Sequence, residues 1–412
     1  MHAIRNTSLR RLGPLGLALT TLLLAPAMPR ATADDSVQFL GTAQLPGTAT
    51  DRSGLTDPLE DGTPHNRLGG LSAIEYSGAD DQYYVLSDRG PKDGSLRFAC
   101  RWHTIELKLP QEGKHDGSAR LIGTTLLTAQ DGKPYVGIAS AFDPQGPDGN
   151  HRFDPEGLRR APSGNIFLSD EYGPMIIEFD SSGHAVRSLP VPARYQIQHP
   201  SASKDEEIAN NTSGRIANAG LEGLAITPDG KRLYALEQLP LLQDTKPGKS
   251  GKRQGLNCRL LEIDLKTDAT REFVYRLEDH HNKTSEILAA GDGKFLVIER
   301  DGQTGEKAAF KRIMAIDIKD ATDTTHVDKF PHKAVPQGVQ PVKKTTFIDL
   351  LDPKFGLVGE QLPEKMEGLA WGPALPDGRD LLWVCVDNDF KSKAPNLFYA
   401  FAVRRSAAVT AK

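Results

Sequence analysis

Cysteine is scarce: Cys100, Cys258 and Cys385 are the only three in 412 residues, widely spaced and without a CxxC pair. That excludes a disulfide framework, so the core must hold without covalent staples, and at most one bridge could form, leaving one free thiol. Buried small apolar residues is the simplest reading of all three. Several catalytic signatures are missing too. There is no G-x-S-x-G elbow, no H-E-x-x-H or other zinc spacing, no P-loop and no dinucleotide fingerprint. Long helical periodicity is almost absent. So is a strong charge of one sign: 50 basic against 54 acidic residues leave −4, which argues against nucleic acid or an anionic membrane as partner.

One apolar run stands out, at the N-terminus. Arg5, Arg10 and Arg11 precede Leu15 to Ala25, and Ala31-Thr32-Ala33 offers a small-residue cleavage site. This predicts a signal peptide over residues 1–33. Gly16, Thr20 and Thr21 interrupt the run, which is shorter than the ~20 apolar residues that cross a bilayer. The expectation is export to the periplasm or the medium, with no membrane span in the mature chain 34–412. Removing residues 1–33 deletes four arginines and no acids, leaving 46 basic against 54 acidic residues, about −8. With 25% charged and 38% hydrophobic residues, the chain has an ordinary globular composition.

What the sequence does contain is a repeat. Glu222-Gly223-Leu224 opens a strand that turns at Asp229-Gly230 and returns through Leu233-Tyr234-Ala235-Leu236 to Glu237. Glu156-Gly157-Leu158 and Glu367-Gly368-Leu369 open similar hairpins, turning at Ser163-Gly164 and Asp377-Gly378, with weaker copies at Gly70-Leu71 and Glu286-Ile287-Leu288. Glycine-containing pairs between β-rich segments are strong hairpin signals. Anchored on Leu71, Leu158, Leu224, Leu288 and Leu369, the spacings are 87, 66, 64 and 81 residues, which predicts propeller blades carrying inserted loops. The predicted fold is an all-β, single-domain propeller of five four-stranded blades. Six is the alternative, with the extra blade hidden in residues 128–155 or 318–343. The last copy is one strand short, and Val37 to Leu45 is a strand without a hairpin partner. It should complete the last blade and close the ring, which removes exposed sheet edges.

In a propeller the first strand of each blade lines the channel and pairs antiparallel with the second. The residues before strand one and after strand two therefore share a rim. These are Glu156, Glu222, Glu286 and Glu367 on one side of the hairpins. On the other are Asp88-Arg89, Asp170-Glu171, Glu237, Glu299-Arg300 and Asp387-Asn388-Asp389. Crowded carboxylates do not all stay ionised without a cation. Ca²⁺, which takes ~6–8 oxygen ligands, is the expected cofactor. The metal candidates are Asp88, Glu156, Asp170, Glu171, Glu286, Glu299, Glu367, Asp387, Asn388 and Asp389. The plainer reading is that each Glu caps a turn and pairs with a neighbouring blade. Arg89 and Arg300 suit bidentate contact with phosphate and, with Glu222 and Glu237, form the expected catalytic set. Asp148-Gly149-Asn150 followed by Asp154 is a loop with spare oxygens.

Taken together, these segments resemble the phytase-like family, often labelled "esterase-like activity of phytase". The resemblance rests on Gly69-Gly70-Leu71-Ser72, Leu86-Ser87-Asp88-Arg89-Gly90 with Arg97-Phe98, and Asp154-Pro155-Glu156-Gly157-Leu158 with Ser169-Asp170-Glu171. It extends to Asn218-Ala219-Gly220-Leu221-Glu222, Ser285-Glu286 with Ile298-Glu299-Arg300-Asp301, Lys365-Met366-Glu367-Gly368-Leu369 and Val386-Asp387-Asn388-Asp389-Phe390. It implies an exported propeller hydrolysing phosphomonoesters or esters, similar to calcium-dependent propeller phytases mainly in architecture. Its motif positions add Arg97, Asn218 and Lys365 as substrate-binding candidates. The expected partner is a small anionic or ester substrate, taken by a monomer. The competing expectation is a non-enzymatic propeller that binds a ligand or protein and holds Ca²⁺ structurally.

Overall fold

The computed structural model describes residues 37–405 except 112, 113, 115, 147, 250 and 251. The expected signal peptide, residues 1–33, lies outside the described residues. Strand β1 (Val37–Leu45) comes first. The first blade is β2 (Leu71–Tyr76), β3 (Gln82–Ser87), β4 (Arg101–Lys108) and β5 (Ser118–Leu126), and the second is β6 (Pro155–Arg160), β7 (Ile166–Asp170), β8 (Ile176–Phe179) and β9 (Ala185–Ser188). A seven-residue helix α1 (Lys204–Asn210) precedes the third blade, which begins with β10 (Leu221–Ile226) and β11 (Arg232–Glu237). A two-residue ladder, β12 (Lys246–Pro247) with β13 (Arg253–Gln254), interrupts it before β14 (Asn257–Asp264) and β15 (Thr270–Arg276). The fourth blade is β16 (Lys283–Gly291), β17 (Lys294–Arg300), β18 (Lys311–Asp317) and β19 (Lys343–Asp349). The fifth is β20 (Met366–Trp371), β21 (Asp380–Val386) and β22 (Asn396–Val403), finished by β1.

Five four-stranded antiparallel sheets result, and β1 pairs with β22 from Val37↔Val403 to Leu45↔Asn396. The N-terminal strand therefore closes the ring as expected. The six-blade alternative is overturned: among the described residues, segment 128–155 contributes only isolated bridges before β6 begins at Pro155, and segment 318–343 forms no sheet before β19. The inner strands contact one another in the circular order β2, β6, β10, β16, β20 and back to β2. One apolar cluster fills each gap between neighbouring blades. Ala225, Tyr234 and Leu260 of blade three meet Ile287, Val297 and Met314 of blade four, for example, and Trp383 of blade five donates its indole N–H to the Tyr83 hydroxyl of blade one at 3.0 Å. Cys100, Cys258 and Cys385 are all buried free thiols.

The recurring Glu-Gly-Leu now has a steric explanation. With only five inner strands the channel is narrow, and adjacent backbones nearly touch where the glycines lie. A Cβ on Gly157 would sit 2.7 Å from the Glu222 carbonyl oxygen, one on Gly223 would sit 2.5 Å from the Ile287 nitrogen, and one on Gly368 would sit 2.9 Å from the Ile74 nitrogen. Backbone cannot yield as a side chain can, so these positions exclude every other residue. Gly223→Ala is expected to cost roughly 2–3 kcal/mol by overpacking. Gly132→Ala, in a left-handed turn with nothing within 4 Å of its Cβ, should cost only about 1 kcal/mol. Urea midpoints of the two variants check the contrast, and equal midpoints would refute the close-approach account.

Candidate functional site

The pairing register decides which side chains reach the rim. Each inner strand carries a bulge near its start, between Leu71 and Ala73, Pro155 and Leu158, Leu221 and Gly223, Thr284 and Glu286, and Met366 and Gly368. The bulged residues are Ser72, Glu156, Glu222, Ser285 and Glu367. The residues ahead of these first pairs are Gly70, Asp154, Gly220, Lys283 and Lys365. Those just past the matching partners on the second strands are Asp88, Glu171, Gln238, Arg300 and Asp387. Three positions from each blade thus converge at one end of the ring.

The acidic arc lies on blades one to three. Asp154, Glu156 and Glu171 are buried, and one carboxylate oxygen from each lies within 4.8 Å of the other two. Arg89 reaches Asp154 at 2.5 Å and Glu171 at 4.0 Å, and donates to the Asn218 side-chain oxygen. Its charge is shared further with Asp93 at 2.8 Å. Gln238 donates to one oxygen of Glu222 at 2.6 Å, while the other oxygen, Oε2, is buried without a hydrogen-bond partner. Burial raises the carboxyls of Asp88, Asp154, Glu156 and Glu222, and repulsion from neighbouring carboxylates raises them further. Glu156 lies well above the usual range through burial and then Asp154 and Glu222, and Glu222 does so through burial and then Glu171 and Glu367. Burial and then Asp387 push Asp88 well up, whereas burial lifts Asp154 to about 7 against the pull of Arg89.

The mixed arc lies on blades four and five. Arg300, fully buried, donates to Ser285 Oγ at 2.9 Å and to Glu367. Lys365 pairs with Asp387 at 2.7 Å and Asp389 at 2.5 Å. Burial lifts Asp387 to about 6 against Lys365. Burial also opposes ionisation of Glu367 and Asp389, yet the cations win: Lys365 and Arg300 hold Glu367 low, and Lys365 holds Asp389 at about 2. Lys283, half-buried, is lowered to about 8 by burial and then by Arg300, with Glu367 and Glu222 opposing.

Of the expected site residues, Asp88, Arg89, Glu156, Glu171, Asn218, Glu222, Arg300, Lys365, Glu367, Asp387 and Asp389 come together here. Others do not. Asp170 turns back to accept from the backbone N–H groups of Asp154, Tyr172 and Gly173. Asn388 likewise accepts from Gly70 and Phe390 and donates to the Ala394 carbonyl. Arg97 is half-exposed and paired with Asp148 on an outer loop. Glu237 and Glu299 precede the converging residues Gln238 and Arg300 by one position, and strand alternation turns them to the opposite face. Glu237 has Arg259, Asp244 and Glu272 as its charge neighbours, and Glu299 is bound by Tyr275, Lys344, Asn282 and the Glu278 N–H.

Glu286 is a one-residue slip of the same kind. Anchoring blade four on Leu288 equates Glu286 with Glu222, but the register pairs Glu286↔Ile298 and Gly223↔Leu236. Ser285 is the true counterpart of Glu222. Glu286 instead projects into the channel and meets Arg159 at 2.9 Å. Arg159, 1% exposed, also donates to the carbonyls of Ile74, Leu158, Ile287 and Leu369. One guanidinium thus links four inner strands. Sequence reasoning overlooked Arg159, Gln238, Ser285, Lys283 and, as a rim member, Asp154. Lys283 and Asp154 would have been found by taking the residue ahead of the first strand pair in every copy.

A closed five-bladed propeller with a buried, carboxylate-rich rim at one channel end defines the class. Residues 66–390 match the family described as "Phytase-like: Esterase-like activity of phytase", and the chain belongs to that family. It is 27% identical over 436 residues, covering 82% of each chain, to an "Uncharacterized secreted protein" of Arthroderma benhamiae. Among solved structures it is similar to a streptogramin B lyase at 13% identity, TM-score 0.35, covering 88% of this chain and 96% of that one. It is also similar to a periplasmic gluconolactonase of Pseudomonas aeruginosa at 9% identity, TM-score 0.35, covering 90% and 97%.

Proposed function

We infer that the protein is an exported, Ca²⁺-dependent hydrolase of small phosphoesters, working as a monomer at this rim. The observation that carries the reading is the meeting of Asp154, Glu156 and Glu171, buried, with oxygens within 4.8 Å. An all-oxygen donor set suits a hard cation, and the neighbouring Glu222 Oε2, buried without a hydrogen-bond partner, is where that carboxyl can carry a proton. Asp154, Glu156 and Glu171 would hold the ion. Bound there, Ca²⁺ supplies Lewis-acid polarisation of a phosphoryl oxygen and a more acidic water. The secreted relative supports export, in keeping with the leader expected from the sequence. No helix among the described residues is long and apolar enough to cross a membrane.

The chain's own groups divide the remaining work. Glu222, whose carboxyl burial and then Glu171 push well above the usual carboxylate range, can give its proton to a leaving oxygen. Gln238 fixes the orientation of that carboxyl. Arg89 and Arg300 commit their terminal guanidinium donors mainly to Asp154, Asn218 and Glu367, and the Arg300 Nε to Ser285, so they act as positioning residues. The test is hydrolysis of p-nitrophenyl phosphate and p-nitrophenyl acetate by the purified protein, with Ca²⁺ and with chelator. Calcium-dependent phosphate release, lowered at least about a hundredfold in Glu222→Gln, is expected for loss of a general acid. Bound Ca²⁺ with no turnover of either ester would favour the ligand-binding propeller instead.

A further inference from the structure

Three cationic side chains converge on the blade-four and blade-five side of the rim, and two of them are spent. Arg300 is engaged by Ser285 and Glu367, and Lys365 by Asp387 and Asp389. The third, Lys283, has no direct partner: among the described residues no carboxylate lies within ion-pair distance of its ammonium. The carboxyls that influence it are already taken. Glu367 is held by Arg300, and Glu222 accepts from Gln238 at 2.6 Å. Many lysines are simply solvated on the surface. This one is half-buried, at a place fixed by strand register (Lys283↔Arg300), beside two like charges. An ammonium partly desolvated without a counter-ion is costly, so its position calls for a ligand of opposite sign.

We propose that Lys283 is the oxyanion subsite of the rim, taking the phosphoryl group of a small phosphoester on the side facing Asp154, Glu156 and Glu171. The inference rests on the functional reading above and adds to it the residue that recognises the substrate. An ammonium is a compact three-donor charge suited to one phosphoryl oxygen. Arg300 and Lys365, neutralised by their own carboxylates, supply background potential, not direct contacts. The arrangement also couples two ligands. An anion at Lys283 faces the acidic arc, so a cation bound there removes repulsion and adds attraction. By linkage the same factor must apply in both directions: Ca²⁺ tightens phosphate, and phosphate tightens Ca²⁺.

Isothermal titration of the purified full chain with inorganic phosphate, with and without Ca²⁺, tests this. The wild type should bind phosphate at least tenfold more tightly with Ca²⁺ present. Lys283→Met should weaken phosphate at least tenfold, while Lys283→Arg, which keeps the charge, stays within threefold of wild type. Calcium affinity measured without phosphate should be unchanged or slightly tighter in Lys283→Met, which loses a neighbouring positive charge. Because Lys283 has no direct partner and its charge is partly desolvated, Lys283→Met should be at least as stable in urea as the wild type, and Lys283→Arg should keep the wild-type midpoint. Phosphate affinity equal in Lys283→Met and wild type would overturn the subsite, as would acetate binding more tightly than phosphate. The two readings fail separately. Calcium binding without phosphate binding removes the subsite and leaves the metal, whereas Lys283-dependent phosphate binding in a protein that takes up no Ca²⁺ keeps the subsite and removes the metal.

Discussion

Arg159→Met should lose about 3–5 kcal/mol of folding free energy at pH 9, the usual cost of removing one partner of a buried pair. Among the described residues the arginine is the only cation paired with Glu286, at 2.9 Å, and it also faces Glu75 at 3.5 Å. Without it both carboxyls lose this neighbouring cation and four inner-strand carbonyls lose a guanidinium donor. The loss depends on pH. Burial lifts Glu286 from 4.5 to about 8 and Glu75 from 4.5 to about 7, with Arg159 opposing in each case. A carboxyl raised on folding contributes stability that is complete below its unfolded value and is lost as pH rises through its folded value. Wild-type stability from these two groups therefore declines between about pH 5 and pH 9. The variant, lacking the opposing pull, should decline further, so its deficit is smaller at pH 6 than at pH 9. Replacing Arg159 and Glu286 together with methionine should recover most of the loss, because an apolar pair can substitute for a buried ion pair. Urea midpoints at the two pH values read all of this. A single variant as stable as wild type at pH 9 would show that Arg159 does not hold the inner strands together.

Calcium at about a hundred times its dissociation constant should stabilise the wild type by roughly 2.7 kcal/mol through mass action. Glu156→Gln should abolish most of that response. In chelator at pH 8 the same variant should be as stable as wild type or more so, since it removes a carboxylate crowded by Asp154 and Glu222. A substitution that helps the bare protein and harms the loaded one is what a binding residue gives, and a purely structural one does not. Glu237→Gln is the control. Its carboxyl is buried beside Arg259, Asp244 and Glu272, away from the rim, so it should keep the full calcium response. A full response in Glu156→Gln, or a lost one in Glu237→Gln, would relocate the ion.

How much of this was legible beforehand can be judged from particular residues. The blade count and the closing strand were readable, because hairpin turns such as Asp229-Gly230 and the unpartnered Val37–Leu45 are local signals. Glu156, Glu222 and Glu367 were readable as rim residues, because each precedes a glycine that close backbone approach demands. Glu286 misled for the same reason: it looks like those three but takes the place of the glycine. Glu237 and Glu299 misled by one position on strands with a period of two.

The sequence by itself determined the architecture, since alternating strands, glycine turns and repeat spacing act over a few residues and need no knowledge of the rest of the chain. The bulges, which set which residue of each acidic pair faces the channel, arise only when two strands choose their register. Asp154, Glu156 and Glu171 gather at the end of the single β6–β7 hairpin once its register is set, whereas leaving Lys283 without an ion-pair partner among the described residues and placing Arg159 across four blades depend on ring closure between residues far apart in the chain. Those were decided by the tertiary structure, because charge and burial act through space and not along the backbone.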